Sequence, residues 1–250
     1  MGLDGLVEDP AAPHHSPAGG GPLHRGRGDT TPDGGLLLGA KGLLFDNDGV
    51  LVDSEPSVVR SWTRWAVDSG LDPAEVMAAV PGRRAADTVA LFVEPQDIDG
   101  SVALITRYEL EDVADTAAIA GVLDLVAQLD GVPWAVVTSG VRELATARLR
   151  AAGVPVPPVV VTAEDVAAGK PHPEPYLTGA ARLGLDAGTM IVLEDSPSGV
   201  RAGLAAGATV LGIGQSALDT DATVVVRDLV GARWIDEGLL LPGDALLRRP

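Results

Sequence analysis

From about residue 38 onward, short unbroken apolar runs alternate with stretches in which apolar residues recur every three or four positions. Gly42-Leu43-Leu44-Phe45 ends in Asp46-Asn47-Asp48-Gly49, the pattern of a strand buried on both faces that runs into a tight polar turn. From Pro56 to about Ala120 the spacing is helical. Trp62, Trp65 and Ala66 recur at helix intervals, Ser69-Gly70 supplies a stop, and Asp72-Pro73-Ala74-Glu75 has the form of a helix start followed by Val76 and Val80. After a break at Pro81-Gly82, further helical stretches cover roughly 86–94 and 98–116, and this segment shows no strand pattern. Beyond it the alternation is regular. Helices are predicted over 121–129, 142–152, 173–183 and 198–206, the last three ended by Gly153, Gly184 and Gly207. Strands are predicted over 134–140, 159–161, 190–193, 209–213 and 222–226.

Strands alternating with helices predict an α/β fold, a doubly wound parallel sheet of Rossmann-like form. The expected division is a catalytic core of residues 38–55 and 121–250 with an all-helical insertion at 56–120. Residues 1–37 are rich in Gly, Pro, His and Asp without apolar period, and are read as a disordered extension or an over-long translation start. His14, His15 and His24 fall in that tail, where no ordered scaffold is expected to turn them into a metal site.

Composition narrows the function classes. The 46% hydrophobic content is that of an ordinary globular protein, and no apolar run approaches the ~20 residues that span a bilayer. The N-terminus lacks a charged segment followed by an apolar one, so a cytoplasmic location without membrane attachment is expected. There are no cysteines, which excludes disulfides and thiolate metal sites. A net charge of −17 argues against nucleic acid as a partner. An acidic protein acting on a phosphorylated substrate must supply positive charge locally, from a metal or a few placed basic residues.

Four polar groups fall at the ends of predicted strands or in the loops that follow: Asp46 with Asp48, Thr138 with Ser139 and Gly140, Lys170, and Glu194 with Asp195. In a parallel sheet those ends share one edge, so residues distant in sequence converge there. Asp46 and Asp48 leave the strand on the same side, and two adjacent carboxylates point to a divalent metal or to a nucleophile paired with an acid/base. Taken singly, Asp-x-Asp-Gly reads equally as a polar turn and Thr-Ser-Gly as a helix N-cap. Together, a carboxylate, hydroxyl and backbone donors, a lysine and further carboxylates suit phosphoryl transfer.

The order of these motifs resembles that of the haloacid dehalogenase-like hydrolases, most of which are phosphatases. Phe45-Asp46-Asn47-Asp48-Gly49-Val50-Leu51-Val52-Asp53-Ser54 resembles the first family motif, and Val136-Val137-Thr138-Ser139-Gly140 the second. Gly169-Lys170-Pro171-His172-Pro173 resembles the third, and Leu193-Glu194-Asp195-Ser196-Pro197-Ser198-Gly199 the fourth. The resemblance covers about residues 38–215, and the insertion after the first motif resembles the helical cap of one branch. It implies that Asp46 attacks phosphorus and forms an aspartyl-phosphate. Asp48 would protonate the leaving alcohol and then activate water. Mg²⁺ would be held by Asp46, Asp195 and the Asp48 backbone carbonyl, with Glu194 orienting water on the metal. Ser139 and the Gly140 amide, beside Thr138, would hold phosphoryl oxygens, and Lys170 would offset charge. An acid at position 48 suits ester hydrolysis, which needs a proton for the alcohol, and counts against dehalogenase or P-type ATPase chemistry.

The insertion resembles the caps of phosphatases acting on small sugar and polyol phosphates, on Arg60-Ser61-Trp62-Thr63-Arg64-Trp65-Ala66 and Gly82-Arg83-Arg84-Ala85-Ala86-Asp87-Thr88. That branch often has a histidine where Pro81 stands and Pro-Gly where Ala120-Gly121 stands. Arg83 and Arg84 are expected to bind substrate hydroxyls or to close the cap on the core, or else are solvated arginines at a helix start. The implied partner is a small phosphorylated metabolite, with the protein a monomer. Two alternatives share the core motifs: a β-phosphoglucomutase-like phosphomutase, whose usual Gly-x-Ser-Arg is absent from the cap here, and a catalytically inactive binding module on the same fold.

Overall fold

The computed structural model describes residues 28–250 apart from 33 and 237. The tail carrying His14, His15 and His24 lies outside the described residues.

The central sheet has seven strands in the order β7-β6-β3-β8-β9-β10-β13. They are β3 (Gly42–Phe45), β6 (Trp134–Val137), β7 (Val160–Val161), β8 (Met190–Glu194), β9 (Thr209–Ile213), β10 (Val224–Val226) and β13 (Leu246–Arg248). All neighbours are parallel except β10–β13. The chain winds outward from β3 through β6 to β7, then returns across β3 to start β8. The order therefore reverses between β3 and β8, the crevice where open α/β sheets bind ligands. Side-chain alternation packs both faces. Leu43, Phe45, Ile191 and Leu193 enter one apolar cluster, and Leu44, Met190 and Val192 enter the other. Helices α5 (Val122–Val126), α6 (Arg142–Ala151), α7 (Glu174–Arg182) and α8 (Pro197–Ala205) cover the faces, so the doubly wound α/β core is as expected.

Between β3 and β6 lie α1 (Glu55–Asp68), α2 (Pro73–Ala79), α3 (Ala85–Val89) and α4 (Ile98–Glu111). Asp72 caps α2 by accepting a hydrogen bond from the Ala74 amide at 2.8 Å, as the Asp-Pro start suggests. These helices own a separate apolar core of Trp62, Trp65, Val76, Val89, Ile105 and Tyr108, with the two indoles edge to face at 5.7 Å.

Three expectations need correction. Residues 28–37 are not all tail: β1 (Asp29–Thr30) pairs with β2 (Leu36–Gly39), which pairs in turn with β12 (Gly238–Leu241). With β11 (Arg233–Ile235) they form a four-stranded antiparallel sheet that buries Leu36, Leu38, Leu239 and Leu241. The segment read as wholly helical contains β5 (Ala117–Ala118), paired with β4 (Val52–Asp53) where the chain leaves the core and returns to it. Two residues carry no detectable period, and only the partner strand makes them a ladder. The helix expected over 98–116 stops at Glu111 and gives way to a 3-10 turn at Val113–Asp115.

Candidate active site

Asp46 follows β3 directly, and its amide donates to the Leu193 carbonyl of β8 at 3.0 Å, which pins it at the switch point. Gly49 turns the chain next, at φ +78°. A Cβ there would lie 2.1 Å from Asp195 Oδ2, so the turn can approach the end of β8 only with glycine. Asp46, Glu194 and Asp195 each offer a carboxylate oxygen, and the three lie within 4.8 Å of one another.

Lys170 reaches into this group from the loop before α7. Its Nζ donates to Asp46 Oδ1 at 2.8 Å, Glu194 Oε1 at 2.7 Å and the Val137 carbonyl at 3.0 Å, with 1% of the side chain exposed. Glu194 is fully buried and saturated. Besides Lys170 it accepts from Tyr176 OH at 2.7 Å, from the Asp195 and Ser196 amides at 3.0 and 3.1 Å, and from Ser196 Oγ at 3.0 Å. It belongs to the acidic trio, but its oxygens are spent on orienting Lys170 and the loop that carries Asp195.

Burial dominates the electrostatics. It pushes Asp46 up to about 7 against the pull of Lys170, with Glu194 and Asp48 adding to the rise. It also pushes Asp195 well above the carboxylate range, with Glu194 and Asp46 adding. Burial opposes the charge of Lys170, but Asp46 and Glu194 outweigh it and hold the ammonium above its ordinary range. A concentration of buried acids that Lys170 neutralises only in part is a natural seat for a divalent cation with oxygen ligands, so these residues fit Mg²⁺.

The remaining expected residues are placed as follows. Asp48 Oδ1 accepts from Ser54 Oγ at 2.6 Å and from Arg148 Nη1 at 3.0 Å. The Gly140 amide donates to Thr138 Oγ1 at 3.0 Å. Ser139 Oγ donates to the Gly82 carbonyl at 2.9 Å, and Ser198 Oγ donates to the Pro81 carbonyl at 3.3 Å. The Pro81-Gly82 turn of the helical layer thus rests on the serines at the sheet edge. Gly82 sits at φ +71°, and a Cβ on it would meet Ser196 Oγ and Ser198 Oγ at 2.2 Å. Arg84 grips Asp87 with two nitrogens at 2.7 and 2.9 Å and donates to the Ala167 carbonyl at 3.2 Å. It ties the helical layer to the loop of Lys170. The Arg83 side chain is exposed and makes no hydrogen bond or ion pair among the described residues. Sequence reasoning missed Tyr176, Ser196, Arg148 and Glu109, the last two joined at 3.1 Å.

A model of the haloacid dehalogenase-like hydrolases matches residues 40–207. The chain belongs to that family. It is 44% identical to hexitol phosphatase A of Escherichia coli over 178 residues, covering 69% of this chain and 82% of that protein. It is 33% identical to glycerol-1-phosphate phosphohydrolase 2 of Saccharomyces cerevisiae over 190 residues, covering 71% and 76%. The structure of CbbY from Rhodobacter sphaeroides in complex with phosphate superposes with a TM-score of 0.67, covering 77% of this chain and 96% of that one at 23% identity, a likeness of fold. The antiparallel sheet built from β1, β2, β11 and β12 falls outside the span matched by the family model.

Proposed function

We propose that the chain hydrolyses small sugar or polyol phosphates through an aspartyl-phosphate on Asp46, with Mg²⁺ as cofactor. Membership of the hydrolase family, with relatives at 44% and 33% identity named as phosphatases, makes it a phosphoric monoester hydrolase. The observation that carries the finer reading is the buried Lys170 bound to both Asp46 and Glu194, with Asp48 two residues beyond the nucleophile.

Lys170 holds Asp46 Oδ1 and so orients the carboxylate toward the open edge. Attack by Asp46 forms an acyl-phosphate as the P–O bond to the alcohol breaks. Asp48 gives its proton to the departing oxygen, then takes one from the water that attacks phosphorus, releasing phosphate and restoring Asp46. Mg²⁺, held by the Asp46 and Asp195 carboxylates and the Asp48 backbone carbonyl, would offset the negative charge of the phosphoryl group and the acidic trio. Ser139 and the Gly140 amide, exchanging their internal partners for phosphoryl oxygens, would complete the cradle.

The contacts of the Pro81-Gly82 turn with Ser139 and Ser198 support a small substrate. A helical layer resting on the sheet edge suits a small phosphorylated polyol better than a folded phosphoprotein. A panel of hexose, hexitol and glycerol phosphates beside a phosphopeptide, assayed with Mg²⁺ as phosphate release, tests this. Turnover of the small esters is expected, and preference for the phosphopeptide would overturn the assignment.

A further inference from the structure

One buried cation has no part in those steps. Arg148 lies on the core helix α6 with 3% of its side chain exposed. Its Nη1 meets Asp48 Oδ1 at 3.0 Å, and its Nη2 meets Oε1 of Glu109 on α4 of the helical layer at 3.1 Å. Glu109 is itself buried. Ser54, the residue before α1, donates to the same Asp48 oxygen at 2.6 Å. Asp48 Oδ1 is therefore tied twice, whereas among the described residues Oδ2 has only the Asn47 side-chain amide at 3.4 Å.

We propose that Arg148 is a positioning residue that aligns Asp48 through the docking of α4, so that the acid/base carboxylate is set only when the layer carrying Glu109 is packed against the core. This rests on Asp48 being the acid/base of the hydrolysis proposed above. The tie to Oδ1 fixes the plane of the carboxylate and leaves Oδ2 to face the ester oxygen and then the water. A misplacement of about 1 Å in such a group can cost 10²-fold in rate.

The test uses the full chain with Mg²⁺ and two esters, glycerol phosphate with a poor alkoxide leaving group and p-nitrophenyl phosphate with a good one. The double variant Arg148→Met/Glu109→Gln removes both charges, so neither is stranded in the interior. With it, kcat/KM, which reports transfer of the phosphoryl group to Asp46, should fall by roughly ten- to a hundredfold on glycerol phosphate and by less than about threefold on p-nitrophenyl phosphate, whereas hydrolysis of the acyl-phosphate, common to both esters, should slow alike for both. Arg148→Lys should recover part of the loss. In an Asp48→Asn background the same double change should add less than about threefold, because both act through one group. Equal losses of kcat/KM on the two esters, or a full further loss on top of Asp48→Asn, would make Arg148 a structural residue only. If the double variant fails to fold, Glu109→Gln alone is read by the same criteria. If the wild type hydrolyses none of the hexose, hexitol or glycerol phosphates, the proposed function fails. The docking link is then read by amide exchange in α1 and α4, which should quicken in the double variant; unchanged exchange would overturn the link itself.

Discussion

Replacing Lys170 by Met keeps most of the side-chain volume and removes the charge. In the wild type all three ammonium protons are used, on Asp46, Glu194 and the Val137 carbonyl, in a fully buried position. The variant leaves two buried carboxylates facing each other without a cation. Breaking a buried ion pair by removing one partner costs about 3–5 kcal/mol. At roughly 2–4 °C per kcal/mol for a chain of this size, the midpoint should drop by about 6–20 °C. The pH dependence has a definite sign. Lys170 is held above its ordinary range by Asp46 and Glu194 despite burial, so its stabilisation is fully present throughout the neutral and acid range. Asp46, raised to about 7 by burial, binds its proton more tightly folded than unfolded, so metal-free stability falls as pH rises from about 4 toward 7. Without Lys170 the carboxyl rises further, and the deficit should be larger at pH 8 than at pH 5. Urea unfolding in EDTA at the two values measures it. A deficit under about 1 kcal/mol at pH 8, or one larger at pH 5, would mean that Lys170 does not hold the two carboxylates together.

Asp48→Asn keeps the backbone carbonyl but loses the proton donor, so kcat/KM should fall about 10²–10⁴-fold on alkyl phosphates and much less on p-nitrophenyl phosphate; equal losses of kcat/KM would remove Asp48 as leaving-group acid. EDTA should silence phosphate release and Mg²⁺ restore it, whereas Ca²⁺, with its looser and higher coordination, should inhibit; full activity after exhaustive chelation would contradict the metal site. Burial raises both Asp46 and Asp195 above ordinary carboxylates in the metal-free protein, so Mg²⁺ binding near pH 6 should release protons, read by calorimetry in buffers of differing ionisation enthalpy; no release would contradict the metal site. Gly82→Ala forces a left-handed residue, at a cost of about 1–2 kcal/mol, and drives a methyl into Ser196 and Ser198, so KM for sugar phosphates should rise, and an unchanged KM would show that the turn does not shape the site.

The apolar runs made the parallel core legible because strands buried on both faces leave a continuous signal, and the motif residues stand at their ends. Asp46, Lys170 and Asp195 were found that way, and the structure brings them together. What was missed has no local signature. Leu36-Leu37-Leu38 is apolar, but its meaning depends on Leu239–Leu241, some two hundred positions away. The β4–β5 ladder is two residues long. Arg148 was visible in principle: it lies four residues after Leu144 and next to Leu149, on the buried face of α6, where a guanidinium needs partners. Those partners, Asp48 and Glu109, become neighbours only when the helical layer packs on the core. Arg83 and Arg84 look alike in sequence and part in the structure, one exposed and the other bridging Asp87 to Ala167.

Covalent catalysis by Asp46 is tested most directly by a rapid acid quench during turnover of ³²P-labelled hexitol phosphate with Mg²⁺, followed by mapping of label on the chain. A hydroxylamine-sensitive acyl-phosphate is expected on the peptide containing Asp46, formed and lost fast enough to carry turnover and absent from a folded Asp46→Asn variant that releases no phosphate. Full turnover with no label on the chain, label on another residue, or undiminished phosphate release by Asp46→Asn would contradict it.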